Sequence, residues 1–189
     1  MKLYENLPDE VRVGRRKYRV DLDFRNVIRM MEILQDDTLI TGAREYRAAR
    51  CVMKHPRKGA LEAVKKLIFQ GGKPGEDHKR VTSFDQDAGM IRAAFLQAYG
   101  IDLWTARMHW LQFFELLQNL PEDTRYINVI GIRGRPMPKA TKYNQEEREW
   151  LQKQKRLLAL KETPQEQERN YQRDVANIFQ GLAGMIPKG

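Results

Sequence analysis

The sequence predicts a mainly α-helical fold: an N-terminal β-hairpin, a compact multi-helix domain, and a C-terminal pair of helices after a proline-containing linker. Three observations carry that expectation. Through most of the chain apolar residues recur at i, i+3, i+4 and i+7, the period of a helix with one buried face. The stretch from Val11 to Val20 instead interleaves β-prone and charged residues. Charged residues make up 31% and hydrophobic residues 41% of the 189 positions, which suits a modest core under a well-solvated helical exterior.

The elements follow in order. Val11, Val13, Tyr18 and Val20 form the apolar positions of the hairpin, with Gly14-Arg15 where a two-residue loop with glycine first belongs. A helix follows, capped by Asp21 or Asp23, with Phe24, Val27, Ile28, Met31 and Leu34 inward. Gln35-Asp36-Asp37 breaks it. A basic helix from Ala43 to Lys54 ends at His55-Pro56, because a residue before proline avoids helical backbone. Ala60 to Gln70 is the next helix, closed by Gly71-Gly72.

A helix from Phe84 to Tyr99, capped by Ser83 or Asp85, is expected to bury Phe84, Ala88, Ile91 and Phe95, with Leu96 and Tyr99 as further candidates. Gly100 stops it. Asp102 is expected to cap the most apolar helix, which runs to about Asn119 and carries Leu103, Trp104, Met108, Trp110, Phe114 and Leu117. Thr124 to Ile132 fits helix or strand, and helix is preferred. Gly134 to Asn144 reads as an extended linker. Capping boxes at Asn144/Glu147 and Thr163/Glu166 start two final helices. The expected organisation is a hairpin plus helical core over 1–133, a linker over 134–144 and a C-terminal helical arm over 145–189.

Composition excludes several classes. Cys51 is the only cysteine, so no internal disulfide and no thiolate metal cluster is expected. A small, partly buried apolar role suits it. No apolar run approaches the roughly 20 residues of a membrane span. Met1 to Glu5 shows no charged-then-apolar signal pattern, so a cytosolic protein is expected. The net charge of +9 points to an acidic partner, either nucleic acid or an acidic protein surface. Arg12, Arg15 and Arg16 in the hairpin, with Arg44, Arg47, Arg50 and Lys54 in the second basic cluster, form the candidate basic surface.

No constellation suggests catalysis or a cofactor. His55, His78 and His109 lack a ligand partner at helical spacing, and His109 reads as a hydrogen-bonded structural residue. Gly71-Gly72-Lys73-Pro74-Gly75 lacks the spacing of a phosphate-binding loop and follows a helix, not a strand. Asp85 and Asp87 suit a helix start better than a metal site. Trp104, Trp110, Phe113 and Phe114 span too much of one helix for all to be core, leaving room for an exposed aromatic.

Several stretches in fixed order carry a resemblance: Phe84-Asp85-Gln86-Asp87, Ile91 to Phe95, Tyr99 to Leu103, His109-Trp110 with Phe113, and Leu120 to Thr124. Leu7-Pro8 and Asp23-Phe24-Arg25 precede them, and Lys155 to Leu160 follows. Together they resemble a family of phage tail-assembly chaperones encoded just upstream of the tape-measure gene in long-tailed phages and prophages. Leu111 stands where the family often has a second tryptophan, and residues 161–189 lie past the match.

The resemblance implies a non-catalytic protein without a cofactor. It would keep the long helical tape-measure protein soluble and assist tail-tube assembly, acting in the host bacterial cytoplasm and staying out of the finished virion. The tape-measure protein is the expected partner, the tail-tube protein and self-association are further ones, and no membrane is involved. Trp150, Leu151, Leu157 and Leu158, beyond the linker, are candidate docking residues. The alternatives are a basic nucleic-acid-binding phage protein and a structural tail or neck component.

Overall fold

The computed structural model describes residues 6–57, 59–69, 80–163 and 166. Strands β1 (Glu10–Val13) and β2 (Arg16–Arg19) pair antiparallel with Val11 opposite Tyr18 and Val13 opposite Arg16. Gly14 takes the first loop position at φ +61°, backbone that a side chain would strain. Helices α1 (Phe24–Leu34), α2 (Thr41–Val52), α3 (Ala60–Ile68), α4 (Ala88–Tyr99), α5 (Trp110–Gln118), α6 (Arg125–Gly134) and α7 (Gln145–Leu157) follow. The mainly helical class with a leading hairpin is therefore observed. The chain divides into two units, Met1–Arg135 and Pro136–Gly189.

In the first unit α1 packs on α2, α2 on α3, and β1 lies against α3; α5 joins α1 and α4, and α6 lies on α4. Aromatic rings fill the centre. Phe113 stacks on Phe24 at 4.7 Å and on Phe95 at 5.2 Å, so one side chain joins three helices. The buried Trp110 indole N–H donates to the Ile68 carbonyl at 3.3 Å, which satisfies its polar atom. Asp23 caps α1 by accepting from the Arg25 N–H, and Thr124 caps α6 by accepting from the Ile127 N–H. The segment that fits helix or strand is thus helical.

Four expectations are corrected. The first concerns α4, which begins at Ala88. Residues 84–87 form a turn, in which the Ser83 hydroxyl accepts from the Gln86 N–H. Ala88 and Leu96 are exposed.

Second, Asp87 is buried and faces Arg133 of α6. Its Oδ2 accepts from the Arg133 guanidinium at 2.8 Å and from the Ser83 N–H at 2.9 Å. The Thr82 hydroxyl reaches both this carboxylate and Tyr126 Oη. Burial pushes the Tyr126 phenol pKa up, against the Thr82 hydrogen bond. Asp85 is exposed.

The third correction is the largest. Leu103 to His109 are not helical, and α5 starts at Trp110. The Arg25 guanidinium takes the carbonyls of Leu103, Trp104 and Ala106. A helix would need those acceptors for its own ladder. The Phe24 N–H donates to the Met108 carbonyl at 3.0 Å and the Trp110 N–H to Leu22 at 2.7 Å, so a strand-like bridge replaces the missing turns.

Last, the Asn144 side chain does not cap α7. Its Oδ1 accepts from the Thr141 N–H and its amide donates to Lys139, holding the preceding turn instead. Thr163 and Glu166 do exchange the two reciprocal capping bonds, at 2.8 and 3.2 Å. The remainder of that expected helix, and the loop Gly71 to Gly75, lie outside the described residues.

Gly89 supplies a stability test. It sits in the first turn of α4, and nothing lies within 4 Å of where a Cβ would stand. Gly89→Ala is expected to raise the unfolding free energy by about 0.5–1 kcal/mol, read from a urea melt, because it removes backbone entropy from the unfolded chain.

Candidate partner-binding surfaces

The loop 101–109 is built by residues from three places. Gly100 adopts left-handed backbone at φ +67°, and its N–H donates to Leu96 at 3.0 Å as α4 ends. The chain then turns across the helix end. Arg92 of α4 grips Asp102 through two bonds of 2.7 Å each. Asp102 also accepts from the Trp104 N–H at 3.0 Å. Arg25 holds the loop carbonyls from the other side. The outcome is an indole that is 77% exposed yet fixed, with the Arg92 guanidinium 3.6 Å from its ring centroid.

The Arg92 hydrogen bonds, then the Trp104 N–H, hold the Asp102 carboxyl well below its ordinary range, at about 2. Its folded pKa is depressed, so its contribution to stability is present above the unfolded value of about 3.9 and is lost as pH falls toward 2. Asp102→Asn is expected to flatten the acid limb of stability between about pH 4 and pH 2. Urea midpoints measured across that range check it.

The basic candidates do not form one uniform patch. Arg12, Arg15 and Arg16 are exposed on the hairpin, and Arg47, Arg50 and Lys54 on and after α2. Arg44 is half-buried and paired with Asp37 at 2.7 Å, which ties up its charge. Arg50 donates to the Lys54 carbonyl. On the hairpin, Lys17 pairs with Glu10 and Arg19 lies 3.6 Å from Asp9.

The four docking candidates, three on α7 and Leu158 at its C-cap, divide between two sides. Trp150 and Leu157, seven residues apart, share one side and are 50% and 69% exposed. Leu151 and Leu158 share the other, where Leu151 is fully buried and Leu158 partly so. Leu151 therefore cannot be a surface contact.

A family model described as Bacteriophage Gp15 protein matches residues 3–160. That span runs from before the hairpin to beyond α7. The chain belongs to the Bacteriophage Gp15 protein family. No curated protein and no solved structure matches it. In this Gp15-family chain the fold gathers the scattered motif residues around one loop: Asp23 and Arg25 from α1 and its cap, Arg92 from α4, Asp102, and His109-Trp110 at the start of α5.

His109 is the N-cap of α5. Its Nδ1 accepts from the Leu111 N–H at 3.1 Å, and Nε2 lies 3.1 Å from the Pro8 carbonyl, so Nε2 carries the donating proton. The structural role expected of it is observed, at a helix start instead of inside a helix. Cys51 is half-buried, and desolvation pushes its thiol pKa up. Among the described residues no group of three or more His, Cys, Asp or Glu could hold a metal ion. His78 lies outside them. No helix among the described residues is long and apolar enough to cross a membrane. A groove of about 330 Å³ between β1 and α3 is lined by Glu10, Val11, Arg12, Ala63, Lys66 and Leu67. It brings together charges and aliphatic carbon.

Sequence reasoning missed the Asp87–Arg133 pair and the Arg25 clamp. Both join residues far apart in the chain. The Asp23-Phe24-Arg25 motif was a visible signal for the clamp, without indicating where the guanidinium goes.

Proposed function

We propose that this Gp15-family protein is a tail-assembly chaperone that binds the tape-measure protein, keeps it soluble and assists tail-tube assembly without catalysis or a cofactor. One observation supports the reading most. In a charge-rich phage-family protein, large apolar side chains stand exposed at fixed places: Trp104 on a braced loop, and Trp150 with Leu157 on α7. Exposed tryptophans held in place are the side chains that anchor protein interfaces. A long apolar helical partner matches such anchors. On α7 the exposed Lys153 and Arg156 keep the complex soluble and meet acidic positions on the partner.

The reading places the protein in the host cytoplasm during assembly and outside the finished particle. Co-purification with a segment of the cognate tape-measure protein tests it, together with mass spectrometry of purified virions. The segment should travel with the chain, and the virions should lack it. Stoichiometric presence in virions would make it a structural component. Replacing Trp150 and Leu157 together by alanine is expected to weaken co-purification about tenfold or more, as loss of interface anchors does. Unchanged recovery would remove α7 from the interface.

A further inference from the structure

We infer that the outer face of α4, with Trp104 at its margin, is a docking surface for an apolar helix of a protein partner. The inference deepens the chaperone reading, and it rests on that reading only for which protein supplies the helix.

The observation is a charge pattern. Every other described helix puts charged side chains on its exposed side: Arg29 on α1, Arg47 on α2, Lys66 on α3, Glu115 on α5, Arg125 on α6 and Glu146 on α7. The exposed positions of α4 are Ala88, Gly89, Ala93, Leu96 and Gln97, with no charge among them. The one ionic residue of the helix, Arg92, is engaged twice by Asp102 and lies over Trp104. Leu96 is 48% exposed one turn beyond Arg92.

This electrostatic character selects the occupant. The only cation of α4 is already matched, so the helix offers no counter-charge to phosphates or to an acidic peptide. A charged partner would lose hydration there and regain nothing. A helix presenting aliphatic side chains loses no such hydration. Gly89 and Ala93, one turn apart, project almost nothing, so a helix axis can approach closely. Leu96 and the pre-oriented Trp104 then supply the anchoring area with little further loss of side-chain freedom.

The test uses the full chain and two probes: a synthetic amphipathic helix with a leucine–alanine face, and a segment of the cognate tape-measure protein. Trp104 supplies the readout, since docking should shift its emission to the blue and protect it from acrylamide. Ala93→Glu and Gly89→Glu place a carboxylate on the face. Gly89 has open space for a side chain, and circular dichroism and a thermal melt confirm that each variant is folded. The expected result is saturable binding of both probes by the natural chain. Binding should fall at least about tenfold in either variant. The emission shift should vanish in Trp104→Phe.

Binding of the synthetic helix that the glutamates leave unchanged would overturn the inference, and so would no binding of it at all. Two results would assign the face elsewhere and also overturn it: self-association abolished by Ala93→Glu, or protection of Trp104 by a single-stranded oligonucleotide. If the synthetic helix binds this face but the tape-measure segment does not, the surface stands and the chaperone reading falls. If both bind, and only the tape-measure segment ignores the glutamates, the partner docks elsewhere and the inference fails while the reading survives.

Discussion

Phe113→Ala is expected to lower the unfolding free energy by about 3–5 kcal/mol. Phe113 is buried and stacks on Phe24 of α1 and Phe95 of α4, with the Trp110 ring 5.7 Å away and Phe84 at 6.1 Å. Alanine would remove the ring that several neighbours share. Phe24 and Phe95 belong to different helices, each fixed by its own backbone bonds, so they close the gap poorly. A loss of this size lowers the melting temperature by about 10 °C or more. Phe114→Ala is the internal control. That ring is next in sequence and 37% exposed, so its truncation should cost well under half as much. Equal losses for the two would contradict the central place given to Phe113.

Asp87→Ala is the second, with an expected loss of about 3–5 kcal/mol. Asp87 is only 1% exposed and the Arg133 side chain 10%, so neither charge is well hydrated in the fold. Alanine deprives the buried guanidinium of its carboxylate, and deprives the Ser83 N–H and the Thr82 hydroxyl of an acceptor. Taking a carboxylate away from a buried guanidinium is costly, whereas an apolar pair of similar volume can be close to neutral. The double variant Asp87→Leu with Arg133→Met should therefore be more stable than Asp87→Ala alone. Urea denaturation of the single and double variants measures this, provided the slope stays constant. A loss under about 1 kcal/mol for Asp87→Ala would mean that water reaches the pair in solution.

Much of the fold was legible because its signals are local. The hairpin loop at Gly14-Arg15, the cap at Asp23, the break after Leu34 and the stop at Gly100 each depend on a few adjacent residues. The 101–109 loop was not legible for the opposite reason. Leu103, Trp104, Met108 and Trp110 have apolar helical spacing, and Asp102 is a good cap in isolation. The backbone carbonyls there are claimed by Arg25, 78 positions away from Leu103. Periodicity carries no information about that competitor.

Asp87 shows the same limit. At a helix start a carboxylate reads as a cap, and only the arrival of Arg133 makes it half of a buried pair. For the candidate surfaces, helical spacing alone separates Trp150 and Leu157 from Leu151 and Leu158 on α7. It does not indicate which side is covered. An exposed aromatic was foreseeable among Trp104, Trp110, Phe113 and Phe114. Which of the four stands out furthest, Trp104, depends on where the helix begins, and that boundary is set by Arg25.

The claim that this Gp15-family protein is a chaperone for the tape-measure protein is tested most directly by sedimentation. The tape-measure segment is diluted from denaturant with and without an equimolar amount of the chain, and the soluble fraction is measured. The account predicts that the segment stays in the supernatant with the chain and pellets without it. Equal pelleting in both would contradict the account.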